Sequence, residues 1–191
     1  MDIFDKYKVD RAPRELLYVL GRVGLFIVVN VFAIFAGIFS CAGVSTVIAV
    51  IFDNKNKFVS LELIPFLGSS TTTSMVGFII LTGIMLRLFW DDGKRHTAYG
   101  RFSIPVVLIA VFFMAAVYSV PLLFFDNTKD SLSAAIRSFY TPSLWLREVF
   151  KGNMEIPVVI SAGIIAILCM VFYKLSGDRY IKKHPDLLEN F

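Results

Sequence analysis

Of the 191 residues, 57% are hydrophobic and 18% charged, with a formal net charge of +4. Globular chains carry about 45–50% apolar and about 25% charged residues, so this balance excludes a disordered chain, an acidic solvating tail and a basic nucleic-acid arm. The excess is concentrated in four segments free of Asp, Glu, Lys, Arg and His, at 23–52, 63–86, 102–125 and 156–173, which together hold 96 residues.

A helix rises about 1.5 Å per residue and a hydrocarbon core is about 30 Å thick, so roughly 20 apolar residues span it and about 18 approach the minimum. All four segments reach that length, and they lack the period-two alternation of a membrane barrel. The expected fold is an all-α integral membrane protein, a four-transmembrane-helix bundle forming one membrane domain, with spans at about 19–52, 70–90, 103–125 and 156–175.

The first span is predicted to begin with an amphipathic lead-in from about residue 12. Asp10 suits a cap and Pro13 a first turn, and Leu16, Leu17, Leu20 and Val23 recur at helical spacing beside Arg14 and Arg22 along the inner surface. Its apolar part alone, about 45 Å long, exceeds the bilayer core and must tilt or project; the alternative is a break near Ala42 and Gly43. Ala33, Gly37, Cys41, Ser45 and Ala49 recur every fourth position, a ridge of small residues that admits a second helix closely, within the chain or from another. The plainer account of the ridge is chance in a segment rich in Ala, Gly and Ser. Ile38-Phe39-Ser40-Cys41 has the outline of a lipoprotein cleavage site, but Phe39 is too bulky for it and the apolar run too long for a signal peptide, so a retained anchor is expected.

The second span is led in by Ser69-Ser70-Thr71-Thr72-Thr73-Ser74. These hydroxyls suit helix capping; Thr71, Thr72 and Thr73, with Asn30 of the first span, are also the groups that would line a pore. Asp91-Asp92-Gly93-Lys94-Arg95 reads as the turn of a helical hairpin leading to Ser103 and Pro105, and Pro121 marks the exit of the third span. In the long connection 126–155, two short amphipathic helices are predicted. One follows Asp130 with Leu132, Ile136, Phe139 and Tyr140 on one face; the other starts at Thr141-Pro142 and closes at Gly152. Pro157 suits the first turn of the fourth span.

Lys and Arg set the orientation. The flanks 1–22, 87–101 and 174–191 carry thirteen in 55 residues, against six in 46 on the other side, which predicts both termini on the cytoplasmic side. Arg87, Trp90 and Tyr99 would then anchor the inner interface, and Tyr140 and Trp145 the outer one.

Candidate chemistry is sparse. Cys41 and Cys169 fall about 15 Å apart in depth on these spans, whereas a disulfide needs Cα atoms within about 7 Å; both read as small packing residues. His96 and His184 lie at the inner face, where they could meet Asp91, Asp92, Asp178 or Asp186, but no metal-ligand spacing is present and solvated charge is the simpler reading. Asp92-Gly93 resembles part of the Asp-x-x-Asp-Gly motif of lipid-headgroup phosphotransferases, yet Phe89 stands in place of its first aspartate. The four-span layout is shared by tetraspanin-like and claudin-like proteins and by bacterial immunity and exclusion proteins, without the outer-loop cysteines of the first two.

The expected function is therefore a non-catalytic membrane subunit that needs no cofactor and binds, scaffolds or modulates another membrane protein or further copies of itself. An oligomeric channel lined by Asn30 and the SSTTTS segment is the second reading. An inner-face enzyme using Asp91, Asp92, Arg95 and His96 is the third. Beyond lipid and membrane-protein partners no nucleic acid is expected. With no Asn-x-Ser/Thr sequon, and Lys182-Lys183 too far from Phe191 for a terminal dilysine signal, a prokaryotic cytoplasmic membrane is expected, an organellar membrane being the alternative.

Overall fold

A computed structural model describes residues 11–52, 69–99, 101–124, 131–150 and 153–184, without the side chains of 11–14, 49–52 and 124. Asp10, Asp130, Gly152, Asp186 and the side chain of Ala49 lie outside this set. Every described element is helical. They are α1 (Arg11–Phe52), α2 (Ser70–Ala98), α3 (Ile104–Ser119), a 3-10 segment Val120–Phe124, α4 (Ser131–Phe139), a second 3-10 segment Thr141–Leu146, and α5 (Glu155–Lys183). Four stretches, Glu15–Ile48, Ser70–Ala98, Ile104–Leu123 and Glu155–Lys183, are long and apolar enough to cross a membrane, which makes this a multi-pass membrane protein.

Local chemistry sets the ends of these helices. Ser69 caps α2, its Oγ accepting the Thr72 N–H at 3.1 Å, and the Asn153 side chain accepts the N–H groups of Glu155 and Ile156 at the start of α5. The α-helical part of the third span stops at Ser119, just before Pro121. That proline has no N–H to give the Val117 carbonyl, and the chain tightens into the 3-10 segment. Cations close the other ends: Arg95 in the last turn of α2, Lys182 and Lys183 in that of α5.

Three predicted boundaries change. Residues 91–95 are not a turn: α2 continues to Ala98, and the chain reverses between Tyr99 and Ser103, where the Arg101 N–H reaches back to the His96 carbonyl at 2.7 Å. Asp and Gly favour turns locally, but here tertiary packing overrides that preference. The fourth helix runs on to Lys183 rather than ending near 175. The stretch beginning at Thr141 is a single 3-10 segment, not an α-helix.

Within α1, which runs through Ala42 and Gly43 unbroken, the buried line is Val19, Val23, Phe26, Asn30, Ala33, Gly37 and Cys41, in mixed steps of three and four. The expected ridge used steps of four only, and each such step overshoots a turn by about 40° at 3.6 residues per turn. Ala33, Gly37 and Cys41 stay on the buried line, but Ser45 has rotated off it and is half-exposed.

The chain forms two compact units: Met1–Ile27 with Met85–Tyr118 and Ile164–Phe191, and Val28–Ile84 with Ser119–Gly163. In the first, Phe26 meets Tyr118 edge-on at 5.1 Å, and Met85, Phe89, Val107 and Ile165 are buried. α2 and α5 touch at Gly93, where a Cβ would collide with the Tyr173 carbonyl and sit 3.0 Å from Ser176 Cβ; at Gly177 a Cβ would strike the Phe102 ring. Only glycine permits these approaches.

In the second unit, α1 and α2 cross at Gly37 and Gly77. A Cβ on Gly37 would lie 2.8 Å from the Thr73 carbonyl oxygen and 3.1 Å from the Gly77 nitrogen. The connection after α3 folds onto these helices. Asn30 Nδ2 donates to the Phe139 carbonyl at 2.9 Å, Ser74 donates to the Thr141 carbonyl, and Trp145 Nε1 donates to Ser161 at 3.2 Å while its ring meets Phe78. Tyr140 and Trp145, expected as interfacial anchors, are thus packed inward: Tyr140 is fully buried, and burial pushes its phenol above the ordinary value.

Candidate functional site

The densest polar cluster lies in the first unit. Tyr18 and Arg22 are one helical turn apart on α1, as Asp92 and His96 are on α2, so each pair shares a face. The Tyr18 hydroxyl donates to Asp92 Oδ2 at 3.0 Å, Arg22 Nη2 donates to Asp92 Oδ1, and the Arg22 guanidinium lies over the Tyr18 ring at 5.4 Å. Asp92 is 4% exposed. A carboxylate so placed is tenable because both oxygens accept hydrogen bonds and a cation neutralises it; unpaired, its burial would be prohibitive.

His96 extends the cluster to α5. Its ring packs edge-on to Tyr18 at 5.0 Å, and its Nδ1 is 2.9 Å from the Tyr173 hydroxyl. That hydroxyl also accepts the Ser103 N–H at 3.2 Å, tying down the chain just before α3, and the Tyr173 ring stacks on Phe102 at 4.9 Å. Ser176 donates to the Trp90 carbonyl and Thr97 to the Gly93 carbonyl, 2.7 Å away. Hydrogen bonds and ring contacts thereby join α1, α2, the 101–103 segment and α5.

The other inner-face candidates separate by helical geometry. Asp91 and Arg95 share a face about 100° from that of Asp92 and His96. Asp91, half-buried, pairs with the exposed Arg87 at 3.2 Å, and Arg95 is exposed. The structure therefore brings together Asp92 and His96 but not the quartet. Trp90 is half-buried against Phe172, with Lys94 Nζ 5.5 Å from its ring, and Tyr99 is 74% exposed. His184 packs on Tyr180, and no group of three His, Cys, Asp or Glu side chains is placed to hold a metal among the described residues.

The polar residues considered for a pore lie in the second unit, and the side chains of Asn30, Thr71 and Thr72 each meet a protein partner. Asn30 is buried on the Phe139 carbonyl, Thr71 donates to Glu148 at 2.7 Å, Thr72 shares a hydrogen bond with Ser69, and the Thr73 carbonyl faces Gly37.

Sequence reasoning identified Asp92 and His96 but missed Tyr18, Arg22 and Tyr173 as their partners. The signal is two polar pairs at i, i+4 spacing, which the turn chemistry of 91–95 obscures.

Compared with known family models, curated proteins and solved structures, the chain matches none.

Proposed function

We propose that this chain is a non-catalytic integral-membrane subunit that binds another membrane protein, with both termini on the cytoplasmic side of a prokaryotic membrane. The observation that carries the reading is the far end of α1. The apolar run from Val23 to Phe52 is about 45 Å long at 1.5 Å per residue. Fitting it within about 30 Å of hydrocarbon by tilt alone would need about 48°, beyond the 0–40° range of membrane helices, so part of it leaves the core. Ala42 through Ile48 are exposed or half-buried among the described residues.

The chemistry of that end suits protein contact. Ser45 and Thr46 turn their hydroxyls back to the Ala42 carbonyl at 2.9 and 2.8 Å, so their polarity is satisfied within the helix. Ala42, Gly43 and Thr46 keep the surface low, and Val44 and Val47 flank it, about half exposed. Small residues at this spacing admit a second helix closely. The buried polar cluster supports the same reading, because its carboxylate, guanidinium and imidazole hold the chain's own helices together.

Gly43 provides the test, since a Cβ there meets nothing within 4 Å. Gly43→Leu is expected to leave the thermal unfolding of the isolated chain within about 2 °C of the parent while lowering recovery of the heteromeric complex from native membranes at least fivefold. Unchanged recovery of the complex would remove the α1 end as the binding face.

A further inference from the structure

A second feature stands apart from the buried cluster and from the α1 end. In the second unit a cleft of about 310 Å³ is lined by Ser70, Thr71, Ser74, Thr141, Leu144, Arg147 and Glu148. That volume is at the lower limit for small-ligand sites. Arg147 and Glu148, adjacent and both exposed, give its mouth one cation and one anion. The Thr71 hydroxyl donates to Glu148 Oε1 at 2.7 Å, which fixes the carboxylate and leaves its second oxygen able to accept.

The cleft adjoins an exposed apolar stretch of α2. Thr71, Met75 and Ile79 follow at i, i+4 and i+8 and so lie along one face of α2. Thr71 lines the cleft, while Met75 is 50% and Ile79 58% exposed. The polar end of this face is the first turn of a membrane-spanning helix, and its apolar continuation runs along that span. A polar cleft opening directly onto an acyl-compatible surface matches an amphiphile with a compact charged head.

We propose that this cleft binds the phosphoethanolamine headgroup of a membrane lipid. The phosphate meets the Arg147 guanidinium and the Ser70 hydroxyl, the primary ammonium donates to the free oxygen of the Glu148 carboxylate that Thr71 holds in place, and an acyl chain follows Met75 and Ile79. A choline head has no N–H to donate to Glu148, and a glycerol head has no cation to set against it. Charge-assisted hydrogen bonds of this kind account for about a tenfold preference or more.

The test is native mass spectrometry of the intact chain released from nanodiscs containing equal parts phosphatidylethanolamine, phosphatidylcholine and phosphatidylglycerol. The expected result is retention of phosphatidylethanolamine about tenfold above each of the others. That preference should be lost in both Arg147→Gln and Glu148→Gln, whose exposed positions leave folding intact. Soluble glycerophosphoethanolamine at equal concentration is expected not to displace the lipid. Equal retention of the three lipids, an unchanged preference in either variant, or full displacement by the soluble headgroup would each overturn the proposal, the last by showing a site for a free zwitterion.

Discussion

At the scale of single residues, Asp92 has the most to lose. Its carboxylate is buried within a membrane-spanning helix and is held there by Arg22 and Tyr18. Ionisable groups in such segments are costly and persist where a partner or a function retains them. Asp92→Asn keeps the shape but leaves the half-buried guanidinium without its counter-charge, and the expected loss is about 3 kcal/mol of unfolding free energy. Replacing both partners, Arg22→Met with Asp92→Leu, is expected to restore most of that loss, because an apolar pair requires no compensation. Denaturant titration in detergent micelles measures both. A double variant no better than Asp92→Asn would mean that Arg22 and Asp92 act through separate partners.

At the scale of elements, helix crossings depend on glycine where backbones meet and are indifferent to it elsewhere. Gly37 faces the Thr73 carbonyl and Gly77 across the α1–α2 contact, whereas Gly43, six residues along the same helix, has open space. Gly37→Ala is expected to lower stability by at least about 1 kcal/mol, and Gly43→Ala to raise it by about 0.5–1 kcal/mol through helix propensity alone. Thermal unfolding of the two variants side by side gives the sign of each; equal effects would contradict the crossing. The four spans were legible in the sequence because lipid demands long uncharged runs, and the contact of Ala33 and Gly37 was legible because small residues recur along a helix. The end of α2 was not. Asp91-Asp92-Gly93 has turn chemistry, and only contacts with residues 70 or more positions away make it helical: Arg22 for the charge and Tyr173 for the close backbone approach. The burial of Tyr140 is illegible for a related reason, since an aromatic near a span end reads as an anchor and only the tertiary packing buries it.

At the scale of the whole molecule, a polar cluster holds the chain's own helices together, and the far end of the long apolar α1 is uncovered among the described residues. The proposed orientation follows from the excess of Lys and Arg on three flanks and predicts that a cysteine tag placed after Phe191 reacts with membrane-impermeant maleimide only after the cytoplasmic face is opened. Labelling in sealed cells from outside would reverse the topology. The central claim, that the α1 end binds another membrane protein, is tested most directly by photo-crosslinking in native membranes from a benzophenone side chain at Val47, with Phe112 of α3, 69% exposed, as the lipid-facing comparison. One discrete adduct to a different membrane protein is expected from Val47 and none from Phe112. Adducts to lipid alone at both positions, or a ladder made only of copies of this chain, would contradict it.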